Sequence, residues 1–129
     1  MSTNSAIGIQ NDNGTITAIY CHWDGHTDTN GVRLRDHYTT VAKINQLMAL
    51  GALSSLGPEI GEKHDFDEHD PTVCTAYIRD RGAKYGDNMA QVYSTFEDFA
   101  EYEFNYLWKD GKWSCHHSNG HQLEDCATW

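Results

Sequence analysis

Basic residues are scarce in this chain: nine lysines and arginines stand against nineteen aspartates and glutamates, a formal net charge of -10 over 129 residues. A field of that sign repels phosphate backbones and anionic membrane surfaces, so direct nucleic-acid binding and membrane attachment are disfavoured. The same field suits a partner with a basic groove, and it also keeps a small protein in solution. No apolar run approaches the length of a membrane span, and the opening Met-Ser-Thr-Asn-Ser lacks the basic and apolar regions of a secretory signal, so retention in the compartment of synthesis is expected. Cysteine is limited to Cys21, Cys74, Cys115 and Cys126, which without export are expected to be thiols and not two disulfides. Internal repeats, low-complexity tracts and a linker between two cores are also missing. So are a serine nucleophile elbow and a phosphate-cradling glycine loop, and no cofactor is expected.

The chain length suits one domain over residues 1–129 with one core, and four Trp, seven Tyr and four Phe supply much of its buried area. Alternation over Ala6–Gln10 and Ile16–Cys21, either side of Asn13-Gly14, predicts a β-hairpin. Gly31–Tyr38 has room for a two-turn helix. Thr39-Thr40 then caps a second helix whose Val41, Ile44, Leu47 and Met48 share a face, with Gly51 as its stop. From Ala52 to Pro71 turn residues and charge leave little for a core, which predicts a long acidic surface loop over about 57–71. Thr72–Ile78 reads as a central strand ended by Arg79–Gly82. Ser94 with Glu97 fits a capping box for a short acidic helix bearing Phe96, Phe99 and Ala100. Glu103–Trp108 and Lys112–His116 flank Asp110-Gly111, a second hairpin signal, and a loose tail is expected over about 118–129. The fold class expected is α+β: an antiparallel sheet from the two terminal hairpins and a central strand, with two or three short helices packed on one face.

Four clusters carry potential chemistry. Cys115, His117, His121 and Cys126 offer ligands suited to zinc, but match no standard finger, and His116 and His117 point to opposite sides of a strand. No metal site is therefore assigned. The loop bearing Glu62, Asp65, Asp67, Glu68 and Asp70 lacks the glycine and terminal glutamate of a calcium-binding EF-hand, and reads as a charged contact surface, together with Glu97, Asp98, Glu101 and Glu103. His22 and Asp24, two apart, would face the same way on an extended strand, a carboxylate orienting an imidazole, yet nothing else completes a catalytic set. Trp23, Arg33, Arg35, Arg79 and Arg81 are the residue types that grip a small nucleotide, provided that they converge. A metal-dependent hydrolase ranks third, behind such a ligand binder.

The phrases AIGIQNDNGTITAIYCHWDGH, HYTT, LGALSSLG, GEKHDF, RDRG and EFNYLWKDGKW, which run over most of the chain, together resemble a group of small accessory proteins carried by bacteriophages and prophages. The resemblance transfers no catalytic residue. It implies a context: the cytoplasm of a bacterial host, and a host protein or ribonucleoprotein complex with a basic groove as partner, including CRISPR effectors and restriction enzymes. After HWDG the group is expected to carry Tyr-Pro, whereas this chain has His26-Thr27, so a partner contact made by that loop would differ here.

Overall fold

The two hairpins form where the turn residues place them. β1 (Ser5–Gln10) and β2 (Ile16–Cys21) pair antiparallel, with Ile7 opposite Ile19, and Gly14 takes a φ of +88 in the turn. A computed structural model of the chain describes residues 3–117, 123–125 and 129. The remaining elements are a π-helical turn (Thr27–Gly31), α1 (Val32–His37), α2 (Val41–Leu50), β3 (Leu53–Ser55), β4 (Thr75–Ala76), α3 (Tyr77–Arg81), β5 (Gln91–Tyr93), α4 (Phe96–Phe99), β6 (Phe104–Lys109), β7 (Lys112–His117) and β8 (Leu123–Asp125). The second hairpin, β6 with β7, turns through Asp110 and Gly111, both at positive φ, the pairing that two-residue hairpin loops require.

All strands belong to one α+β sheet in the order β4-β3-β2-β1-β6-β7-β8, with β5 also on β2. The hairpins join through β1 and β6, which run parallel with Ile7 beside Tyr106, and β2 and β3 are parallel as well. The sheet is therefore mixed and not wholly antiparallel: the long segment between the hairpins gives the chain the reach that a parallel crossover needs.

Five of the six residues of β1 are buried, which requires cover on both sheet faces. One face carries Ile7, Ile19, Tyr106 and Trp113 and packs against Leu34, Tyr38, Ile44, Leu47 and Met48 of the α1–α2 region. The other carries Ala6, Ile16, Ala18 and Leu107 beneath Phe99 and Ala100. This corrects the one-face expectation, because α4 lies opposite α1 and α2. Gly8 allows the close approach, since a Cβ there would lie 2.8 Å from the Phe99 ring.

The helix caps agree with the sequence in one case and shift in another. Thr40 Oγ1 accepts from the Lys43 N–H at 3.2 Å as expected, while Val41, read as core, is 51% exposed at the helix entrance. In α4 the cap is Thr95, which accepts from Asp98 N–H, and not Ser94. The strand expected over Thr72–Ile78 is only Thr75–Ala76; the chain then turns into α3, which closes at Gly82 with φ +77. β3 lies inside the stretch read as surface excursion, with Leu53 and Leu56 buried. The tail expected to be loose supplies β8, paired to β7, and Trp129, whose ring meets Tyr106 edge-on while its backbone carbonyl accepts from Arg35 at 2.6 Å.

Tyr38 links the helices to the acidic segment. Its hydroxyl, with no exposure, donates to the Gly57 carbonyl at 2.7 Å, and its own carbonyl accepts from the Trp113 indole at 2.8 Å. Tyr38→Phe leaves the Gly57 carbonyl without this donor in a buried site, and is expected to lower unfolding free energy by about 1–2 kcal/mol in urea titration with an unchanged denaturant slope.

Candidate functional site

The acidic loop is exposed and yet fixed. Its anchor is Asp80 in α3, whose side chain has no solvent exposure. One carboxylate oxygen accepts the Ala76 N–H at 2.7 Å and the other the His64 N–H at 3.1 Å, and both accept from the Arg79 guanidinium at 3.0–3.1 Å. Arg79 then spends its remaining donors on the carbonyls of Ile60, Gly61 and Cys74. Burial pushes the Asp80 carboxyl up, but these donors outweigh it and hold it below the usual carboxylate range. His64 Nδ1 meets the Glu62 carbonyl at 3.0 Å, so the proton sits on Nδ1, and Nε2 accepts from the Thr75 hydroxyl at 3.2 Å.

Local turns then present the carboxylates. Asp65 accepts from Asp67 N–H, and Asp70 accepts from both the N–H and the hydroxyl of Thr72, which hold its carboxyl low and ionised. Phe66 anchors the middle of the loop, its ring 5.5 Å from Tyr77 and 5.4 Å from the Arg81 guanidinium carbon. Glu62, Asp65, Asp67, Glu68 and Asp70 are all exposed, and none forms an ion pair with Lys or Arg among the described residues.

Two clefts open beside this loop and share the Phe66–Tyr77 wall. A cleft of about 320 Å³ lies between Trp23, which is 43% exposed, and Phe66, over Ser55 and Thr75. The Ser55 hydroxyl at its floor is buried without a hydrogen-bond partner among the described residues. A second cleft, about 470 Å³, is lined by Tyr20, Tyr77, Tyr102, Arg81 and Asp87. Glu101 and Glu103, both exposed, flank Tyr102 and reach its far rim, and Glu97 and Asp98 stand exposed on α4. Two acidic segments remote in sequence thus meet at the edges of one aromatic surface. Sequence pattern identified the carboxylates but not Tyr20, Tyr77 and Tyr102, whose only signal was the chain's richness in tyrosine.

The arginines read as a nucleotide grip do not form one site. Arg79 is committed to the loop clamp, and Arg81 covers Phe66. Arg33 lies 3.6 Å from Asp24 and donates to Asn30, while Arg35 engages Asp36 and Trp129. Only Trp23 and Arg81 border the clefts. The His22–Asp24 dyad is also absent: β2 ends at Cys21, Asp24 takes a φ of +62 and turns to Arg33, and His22 Nδ1 pairs with the Tyr20 hydroxyl at 2.6 Å. Burial pushes the neighbouring Cys21 thiol up to about 12, which leaves no thiolate for chemistry.

Of the weak zinc candidates, Cys115 is buried in the core and His117 packs against Phe104; His121 and Cys126 lie outside the described residues. Among the described residues no group of three or more His, Cys, Asp and Glu is placed to hold a metal ion, and no helix is long and apolar enough to cross a membrane. No protein-family model, curated protein or solved structure matches this chain.

Asp80→Asn is expected to cost about 3 kcal/mol at pH 7, because it strands the buried Arg79 charge. The depressed folded pKa means that the wild-type stabilisation is complete above the unfolded value, about 3.9, and is lost as pH falls through the folded one. Urea unfolding from pH 7 to pH 2 should therefore show the gap between wild type and variant closing only at the acid end.

Proposed function

We propose that this chain is a phage-encoded, non-enzymatic inhibitor of a host defence or nucleic-acid-handling complex, of the anti-CRISPR or anti-restriction type, working in the bacterial cytoplasm. It acts by laying an acidic surface into a basic groove of its partner. The observation that carries this reading is the rigid display of five carboxylates without lysine or arginine partners, beside clefts lined by Trp23, Phe66 and three tyrosines. Preorganised charge spares the partner the cost of ordering the loop, and aromatic side chains at a charged rim are the residues that dominate protein interfaces. The resemblance to phage accessory proteins supplies the biological setting, and the net charge of -10 disfavours a nucleic acid as direct partner.

The combined variant Glu62→Gln, Asp65→Asn, Asp67→Asn and Glu68→Gln tests this directly. Binding to a purified CRISPR effector or restriction complex that retains the wild-type protein should weaken by about tenfold or more, with a shallower dependence on salt, while circular dichroism and thermal midpoint stay near the wild type. Unchanged affinity and salt dependence would rule out this surface.

A further inference from the structure

A third cleft, sharing no residue with the acidic surface, opens where α4 stops short of the hairpin turns. Its volume is about 470 Å³, within the range of small-molecule sites. Ile16 and Leu107 form its apolar floor on the sheet face, and Phe96 forms one wall, its ring edge-on to His116 at 4.6 Å. Ser114 and His116, two apart on β7, face the same way, with Ser114 Oγ 2.9 Å from His116 Nε2. Burial pushes the His116 imidazole below its ordinary range, so it is neutral at pH 7.

The mouth reverses the charge of the molecule. Lys109 and Lys112, two of the nine basic residues, line it and are direct cross-strand partners. Like charges in that register oppose one another. Asp110 occupies the turn between them, yet Lys109 forms no ion pair among the described residues.

We propose that this cleft binds a small aromatic carboxylate: the flat ring lies on Ile16 and Leu107 beside Phe96, and the carboxylate meets the Lys109–Lys112 pair, with the Ser114–His116 pair supplying a hydrogen bond. An anion between the lysines relieves their repulsion, and the flat sheet floor favours a planar body over a branched one. The apolar half of the ligand gains burial that a bare inorganic anion would not.

The test is a two-dimensional NMR titration with 1-naphthoate, alongside the neutral 1-naphthalenemethanol. Saturable shifts centred on Ile16, Leu107, Ser114 and His116, with the neutral compound weaker by about tenfold, support the site, since that is what one charge-assisted hydrogen bond contributes. Lys109→Glu with Lys112→Glu should lose a similar factor while Lys43→Glu, remote from the cleft, loses none. If the double variant does not fold, Lys109→Gln alone should still weaken 1-naphthoate more than the neutral compound. Absence of saturable shifts, equal binding of the two compounds, or undiminished affinity in the lysine variants would overturn the proposal.

Discussion

A carboxylate with no solvent exposure must be satisfied by its surroundings, and the arrangement around Asp80 does this with two backbone N–H groups and one guanidinium. The consequences reach well beyond the ion pair. Accepting from Ala76 starts α3 and so ends β4; accepting from His64 ties the acidic loop to that helix; and Arg79, held by the carboxylate, gathers three carbonyls from two further segments. Five like charges within nine residues would otherwise repel the loop open, and its own sequence has little apolar surface to hold it. Phe66 on Tyr77 and the Tyr38 contact to Gly57 complete the attachment.

The distribution of the few cations follows from this and decides what the negative charge is for. Arg79 points inward, Arg33 and Arg35 pair on the α1 side, and Lys43 reaches Glu59 and the Pro58 carbonyl. The carboxylates at 62–70 are left without basic partners, although Lys63 is close in sequence. Charge is therefore segregated and not spread evenly, as a coat serving only solubility would be. Segregation beside exposed aromatic clefts is what a steered, specific encounter requires.

The mixed sheet explains why a second, chemically opposite cleft exists on so small a molecule. Joining the hairpins through parallel β1 and β6 gives a sheet with two apolar faces, and the chain has only one four-residue helix for the second. α4 covers the end near Ala6 and Ala18 through Phe99. The end toward the hairpin turns is left as a trough, and strand register places Lys109, Lys112, Ser114 and His116 along it.

Short-range physics made much of this legible in the sequence. Asn13-Gly14 and Asp110-Gly111 need positive φ, so both hairpins were readable; Thr40, Gly51 and the spacing of Ile44, Leu47 and Met48 bounded α2; and the runs of carboxylates marked the exposed acidic segments, because such charge has no place in a core. What depended on partners remote in the chain was not readable. The β-branched run before Asp80 reads as strand until its carboxylate draws the Ala76 N–H into a helix start. β5 and β8 are three-residue segments that exist only by pairing with β2 and β7. The His22–Asp24 spacing implied a dyad only if the strand continued, and Arg79 looked available because the carbonyls that occupy it come from residues 60, 61 and 74. Composition and local spacing determined which groups this protein displays; the tertiary structure alone decided which of them meet, since a buried carboxylate and a parallel strand pair draw their partners from across the chain.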